Sequence, residues 1–402
     1  MSHDVPAILG GSPRFERPIP FVRPTLPSFD QVADELRSII SSGLLTKGSR
    51  LRQFEEAVAA HLGVQHAVAV SSCTTGLMLS YQGLGLTGEV IVPSFTFMAT
   101  VSALVWNRLT PVYVDVDFDS TNIDPAVIER AITPRTSAIV GVHNFGNPAP
   151  IAELEEIARR HKLKLVFDAA HGFGTLYQGQ PVGGQGDAHC FSMSPTKLLV
   201  AGEGGIVSTN DDALAQHIRL GREYGNDGTY DSAFAGMNAR MPEISALMGL
   251  HGLPLLEGTA RFRNEVAKKY RAGLESLPGL HFQEIRPGDR SSYKDFSIVV
   301  EADAFGLTRD ELALALRADN VDTRKYYDPP AHRQTAYQHF TQPGQQLPNT
   351  EALATGSLSL PIGAQVDDQV IAGVCGAVAS IQAHRSEVRQ RLAGPVPAAA
   401  GA

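Results

Sequence analysis

Apolar positions along this chain follow two different periods. Segments 29–41 and 50–62 place Val32, Leu36, Ile39 and Ile40, then Leu51, Phe54 and Val58, at helical spacing, and predict two helices. From Ala67 onward, short apolar runs alternate with helical patterns. Segments 67–71, 90–93, 112–116, 138–142 and 165–167 read as strands, and 74–84, 97–106, 125–132 and 151–161 as the helices between them. This alternation predicts an α/β fold, a mixed and mostly parallel sheet sandwiched by helices. Segments 189–192 and 205–208 add two strands. Beyond about residue 250 the period changes. A long helix over 255–277, a strand over 295–300 and helices over 309–319 and 366–384 predict a smaller C-terminal α+β domain.

The pattern divides the chain into an N-terminal arm (1–28), a large domain (29–253), a small domain (254–390) and a disordered tail (391–402). The arm carries Pro13, Pro18, Pro20, Pro24 and Pro27, and such an arm packs on a neighbour or on the other domain. The tail is Pro/Ala/Gly-rich from Gly394. A length of 402 residues suits two domains. A net charge of -8 argues against nucleic acid or an anionic membrane as partner. No apolar run approaches the length of a membrane span, and the N-terminus lacks the basic and apolar regions of an export signal. Cys73, Cys190 and Cys375 are too few and too scattered for a disulfide framework or a zinc site. A reducing cytoplasm is therefore the expected compartment.

Candidate chemistry centres on two stretches. Val166-Phe167-Asp168-Ala169-Ala170-His171 ends an apolar run in an acid. Phe191-Ser192-Met193-Ser194-Pro195-Thr196-Lys197 leads to Gly202-Glu203-Gly204-Gly205. An acid at the end of a buried strand, followed by a lysine in a Gly-flanked loop, is what pyridoxal phosphate needs. The lysine amine forms a Schiff base with the aldehyde, and the carboxylate keeps the pyridine nitrogen protonated. Leu198-Leu199-Val200-Ala201 would desolvate Lys197 and make it a better nucleophile. The plainer alternatives are a helix cap for Asp168 and a surface position for Lys197.

Ser71-Ser72-Cys73-Thr74-Thr75-Gly76 joins a strand to a helix. Its hydroxyls and free amides suit a phosphate, against ordinary capping as the alternative. Ser192 offers a second hydroxyl. Phe97 lies where a strand ends and is placed either to stack on a pyridine ring or to pack in the core. Asp115-Val116-Asp117-Phe118-Asp119 lacks the glycine and the closing glutamate of a calcium loop, with Ser120 and Ala126 in those places, and no HExxH pair is present. No metal is expected.

In this order, these blocks resemble the DegT/StrS family of nucleotide-sugar aminotransferases, within the fold type I superfamily. The resemblance runs from about residue 10 to 385. It implies a substrate loop at Ser42-Gly43-Leu44-Leu45-Thr46-Lys47-Gly48, bringing Thr46 and Lys47 to the substrate. It implies a phosphate turn at Ser72-Cys73-Thr74, with Cys73 where glycine is usual, a stacking ring at Phe97, and cofactor contacts from Asp168, His171 and Ser192. Asn238, in Gly236-Met237-Asn238-Ala239-Arg240-Met241, is implied to reach the phosphate of a partner subunit, with Arg240 a candidate for the donor carboxylate. Pro242 then stands where a polar residue is more usual and is expected at helix position N1. Tyr327 and His332, in Tyr327-Asp328-Pro329-Pro330-Ala331-His332, are implied near the substrate. The family also implies a homodimer with shared sites and ping-pong transfer. L-glutamate or glutamine gives its amine by way of pyridoxamine phosphate to a keto group on a nucleotide-linked deoxyhexose.

Four alternatives stand beside this. A cyclitol ketone is the alternative acceptor. A dehydrase of the same family would carry His where Lys197 stands. A cysteine desulfurase needs an exposed reactive cysteine, whereas Cys375 lies in an apolar run. A non-catalytic regulator calls for a basic DNA-binding element, and none is evident.

Overall fold

The computed structural model describes residues 5–393. Two amphipathic helices, α1 (Phe29–Ser42) and α2 (Ser49–Leu62), lead into the alternating region. Then come β1 (His66–Val70), α3 (Cys73–Gly83), β2 (Glu89–Pro93), α4 (Met98–Trp106) and β3 (Thr110–Val114). After them run α5 (Pro125–Ile128), β4 (Thr136–Val142), α6 (Ile151–His161) and β5 (Lys164–Ala169). A short hairpin, β6 (Leu176–Tyr177) and β7 (Gln180–Pro181), precedes β8 (Ala188–Ser192) and β9 (Gly205–Thr209). Helices α7 (Asp212–Gly221) and α8 (Glu243–Gly252) close the larger lobe.

Seven strands form one sheet in the order β1-β9-β8-β5-β4-β2-β3. The β3/β2, β2/β4, β4/β5 and β5/β8 pairs are parallel, while β9 runs antiparallel to both β8 and β1. The inner strands are buried on both faces, which is why they read as continuous Val/Ile/Ala/Phe runs. Successive side chains feed separate cores. Phe167 and Phe191 join Phe54 and Leu154 on one face, while Val166 and Cys190 join Leu77 and Tyr81 on the other.

Register decides where chemistry collects. Asp168 pairs with Cys190 and Val142, and Gly205 lies between Val70 and Ser192. The ends of β1, β5 and β8 thus meet at one edge, the carboxyl edge where open α/β sheets bind ligands.

The smaller lobe contains α9 (Leu256–Leu274), β10 (Leu280–Phe282), β11 (Phe296–Val300), α10 (Ala302–Phe305), α11 (Arg309–Ala318), α12 (Pro348–Gly356), β12 (Ser357–Leu360), α13 (Asp368–Ala383) and α14 (Arg385–Ala393). Its antiparallel sheet, β10-β11-β12, carries its own core around Leu312, Leu358 and Val378. The expected divide at 253/254 falls in a 3-10 turn, Leu253–Leu255, that joins α8 to α9 directly. The arm lies along this lobe. Ile19 bridges Val321, and the Phe21 ring sits 6.3 Å from that of Tyr326.

Some expectations need correction. Pro242 is the N-cap of α8, one place before N1. Residues 391–393, expected in a tail, finish α14, and residues 394–402 lie outside the described residues, as do 1–4 of the arm. Among the described residues, no helix is long and apolar enough to cross a membrane.

Candidate active site

Asp168 sits at the end of β5 and is buried. Its Oδ2 accepts from the Thr100 hydroxyl at 2.7 Å, and its Oδ1 accepts from the Ala170 amide at 3.0 Å. Thr100 is oriented in turn by Thr96, at 2.9 Å. Burial pushes the carboxyl above its ordinary value, while Thr100, Ala170 and the nearby Lys197 charge pull it back. A buried acid so held is suited to pairing with a cation. No helix follows Asp168, so the helix-cap alternative falls away, and the Ala170 bond instead shapes the turn after β5.

Lys197 lies in the loop after β8, its amide donating to Ser194 O at 3.0 Å. Its amine is pulled down to about 8, first by burial and then by the charge of Lys294, against the carboxylates of Asp295 and Asp168. His171 is held neutral by burial and by Lys197 and Lys294, and its Nδ1 is buried without a hydrogen-bond partner.

Lys294 and Asp295 did not stand out in the sequence. They form a buried pair, with the ammonium 2.9 Å from both carboxylate oxygens. The one signal was a charged doublet set directly before an apolar strand. Thr100 gave no sequence signal, being one of two hydroxyls on an apolar helix.

The turn after β1 caps α3. Ser72 Oγ accepts from the Thr75 amide, and Thr75 Oγ1 from the Ser72 amide, a reciprocal capping box. Capping and anion binding are compatible here, because Cys73 and Thr74 contribute first-turn amides at the same helix end. The Cys73 thiol donates to Cys190 O at 3.1 Å, and burial raises it far out of the reactive range. A Cβ on Gly205 would stand 2.4 Å from Ser72 C, so glycine is required for β9 to pass beneath this turn. Ser192, at the end of β8, is buried alongside. Asn238 is exposed, and its neighbour Ala239 accepts from the Ser71 amide at 2.8 Å.

Phe97 is 48% exposed, which removes core packing as its role. Tyr327 is buried, stacked on Phe145 at 5.7 Å and edge-on to Phe95 at 5.2 Å. Burial, and then Asp295, keeps its phenol protonated. His332 departs from the expectation of a substrate contact. Its Nδ1 shares a hydrogen bond with Ser94 Oγ at 2.7 Å and its Nε2 with Glu351 at 2.8 Å, so both ring nitrogens serve to anchor its loop.

A second group centres on Glu223, which pairs with Lys47 at 2.7 Å and Arg240 at 3.0 Å. Arg240 also lies over the Tyr224 ring, 5.5 Å from its centroid. Together with Asn226 and Tyr230 they line a cavity of about 610 Å³. Lys47 and Tyr224 both adopt left-handed backbone, with φ 61° and 65°. Thr46 bridges Pro242, which ties the loop to α8. Two cations meeting one carboxylate beside exposed aromatic rings offer contacts for an anionic, ring-bearing ligand.

The residues at the sheet edge fit pyridoxal phosphate. They supply an amine close to neutrality, a buried carboxylate, an exposed aromatic face and a helix N-terminus with hydroxyls, all on adjoining strand ends.

Residues 29–379 match the DegT/DnrJ/EryC1/StrS aminotransferase family. A dTDP-3-amino-3,4,6-trideoxy-alpha-D-glucose transaminase of Streptomyces venezuelae is 36% identical over 357 residues, 86% of this chain and 93% of that protein. A dTDP-4-amino-4,6-dideoxy-D-glucose transaminase of Escherichia coli is 33% identical over 362 residues, 89% of this chain and 96% of that protein. Among solved structures, DesI in the presence of its TDP-sugar product aligns with a TM-score of 0.89 at 37% identity, over 98% of this chain and 99% of that one. Streptomyces venezuelae DesV in complex with a ketimine intermediate aligns at 0.82 and 33% identity, over 92% and 99% of the two chains.

Proposed function

The chain belongs to the DegT/DnrJ/EryC1/StrS aminotransferase family, and on that premise we propose that it moves an amino group from L-glutamate or glutamine to the keto group of a nucleotide-linked deoxyhexose. The single observation that carries the catalytic assignment is the convergence of Lys197, Asp168, Phe97 and the Ser72 turn on one sheet edge. The acceptor class is supported by the named activities of relatives that match nearly end to end.

Pyridoxal phosphate, when bound, supplies an aldehyde for the amine and a ring that takes up the electron pair released at the substrate carbon. Asp168 would hold the proton on the ring nitrogen, and Thr100 and Ala170 keep that carboxylate aimed. Amides at the start of α3, with Ser72, Thr74 and Ser192, would hold the phosphate, and His171 and Phe97 would flank the ring. Lys197 Nζ is the base: its lowered proton affinity lets it take a proton from the donor's α-carbon near neutral pH and return one to the acceptor carbon. Lys47 and Arg240 would meet the anionic parts of the substrates, and Tyr327 would donate a hydrogen bond to the acceptor. Asn238 would act on the partner subunit's cofactor in a homodimer.

The test is a visible absorbance spectrum of the protein with pyridoxal phosphate, before and after adding L-glutamate. The expected result is a visible band that disappears on adding the donor. A band that ignores both glutamate and glutamine would overturn the donor assignment. No band at all would overturn the cofactor.

A further inference from the structure

The segment Ser94-Phe95-Thr96-Phe97 joins the end of β2 to α4, and Phe97 is the N-cap residue of that helix. The Phe97 ring is half exposed, and its nearest ring contact, Tyr327, is 6.5 Å away. A side chain with so little packed around it is aimed by the backbone that carries it. Three restraints set that backbone. Thr96 Oγ1 shares a hydrogen bond with Thr100 at 2.9 Å, on the side of Asp168. Buried Phe95 packs edge-on against Tyr327 at 5.2 Å. The third restraint is on Ser94, which is fully buried and gripped by a loop 238 residues away. The Ala331 amide donates to Ser94 O at 3.0 Å, and the His332 amide donates to Ser94 Oγ at 3.1 Å. Ser94 Oγ in turn lies 2.7 Å from His332 Nδ1.

The partners of the imidazole fix the direction of its bonds. Glu351 Oε1 accepts from Arg333 Nε at 2.6 Å and lies 2.8 Å from His332 Nε2, so Nε2 is the donor of that pair. Ser94 Oγ already accepts from the His332 amide, and its own proton goes to Nδ1, which takes it on a lone pair. The ring thus presents an acceptor to the segment of Phe97 and a donor to α12. The two sides are not equally replaceable. On the Glu351 side, Arg333 holds the same carboxylate, and Thr341 Oγ1 donates to His332 O at 2.9 Å. On the Ser94 side, Nδ1 is the acceptor for a hydroxyl sealed from water, and removing it strands that donor.

We propose that His332 is a positioning residue for the cofactor site: its Nδ1 fixes Ser94 and thereby sets how the Phe97 ring meets the cofactor, while its Nε2 bond to Glu351 steadies the imidazole itself. This rests on Phe97 stacking on the cofactor and adds what aims it.

The test is the dissociation constant of pyridoxal phosphate, read by absorbance titration of the full chain without substrate. His332→Asn keeps an acceptor near the place of Nδ1, and His332→Gln keeps a donor near the place of Nε2. His332→Gln and Ser94→Ala should each weaken cofactor binding about fivefold, and His332→Asn by no more than about twofold. Phe97→Leu sets the scale of the effect. Combining it with His332→Gln should weaken binding no further than Phe97→Leu alone, because both changes remove one interaction. A merely structural role predicts additive losses, and equal losses in His332→Asn and His332→Gln; either result overturns the proposal. Should His332→Gln fail to fold, Ser94→Ala combined with Phe97→Leu decides in the same way, additivity again overturning it. Unchanged cofactor affinity in Phe97→Leu would overturn the Phe97 assignment and the proposal together, which separates a failure of the site from a failure of His332 alone.

Discussion

At the residue scale, the proposed site depends on groups whose chemistry has no substitute. Lys197→Ala should reduce transamination by a factor on the order of a thousand or more and remove the visible band of lysine-linked cofactor. The check is single-turnover kinetics with a parallel spectrum, and normal turnover would refute the assignment. Asp168→Asn keeps the shape and loses the charge, so the chemical step should slow on the order of a hundredfold while acceptor affinity stays nearly constant. Comparing kcat with KM for the acceptor decides it, and a change confined to KM would remove Asp168 from the ring-nitrogen role. These two residues were legible because a carboxylate closing an apolar strand and a lysine among glycines are each conspicuous. Thr100 and Lys294 were not. Asp168 Oδ2 lies 2.7 Å from a hydroxyl 68 residues away, and the charged doublet folds inward as a buried pair. Such contacts are tertiary and leave no local pattern.

At the element scale, the strands and most helices of the sheet region follow directly from period and apolar runs, whereas α7, α8, α12 and β12 were passed over. Helix α8 shows why. It is apolar on several sides, and Gly249 lets the Phe54 ring of α2 come within 2.6 Å of where a Cβ would stand, so no single stripe marks it. Its first residue, Glu243, is buried and accepts from the amides of Gly48 (2.9 Å), Arg50 (2.9 Å) and Leu51 (3.0 Å). It therefore caps α2 from 192 residues away. Asp115 does the same for α12, accepting from the Asn349 amide at 3.0 Å and the Thr350 amide at 2.8 Å. Glu243→Ala should cost about 3 kcal/mol by stranding buried donors. It should also loosen the loop carrying Thr46 and Lys47, raising KM for the acceptor more than for glutamate. Urea melts combined with steady-state kinetics test both parts.

A second expectation at this scale concerns the stack of His143, Phe167 and His189, with ring centroids 5.1 Å and 4.5 Å apart. Burial lowers His143 to about 3 and His189 well below its ordinary value, so the folded chain binds fewer protons than the unfolded one. The stability these rings lend is full above the unfolded value of about 6.5 and is lost as pH falls below it, by up to about 1.4 kcal/mol per pH unit for each ring. His189→Phe should make the fall between pH 6 and pH 4 shallower by one such step. An unchanged slope in denaturant melts across that range would exclude the stack as the cause.

At the scale of the whole molecule, one chain leaves apolar surface that its own fold does not cover. Phe29, Ile40, Leu44 and Leu45 are more than half or about half exposed on α1 and the loop after it, and Trp106, the chain's single tryptophan, is 73% exposed. In the proposed homodimer, a second copy would cover such surface. Asn238 then becomes a test of architecture. It is exposed in the single chain, one residue from the Ala239 carbonyl that holds the Ser71 amide, so it stands beside the Ser72 turn. If it completes the partner's site, Asn238→Ala and Lys197→Ala chains are each inactive alone for different reasons. Mixed and re-associated, half the dimers would be hybrids. Each hybrid would hold one site with both defects and one with neither, giving about a quarter of the activity of the unaltered protein. Co-expression with two affinity tags isolates those hybrids, and turnover per hybrid dimer should approach half that of the unaltered dimer. Hybrids no more active than the parents would instead place Asn238 and Lys197 in the same chain's site, and would confine the role of the second subunit to covering the apolar face.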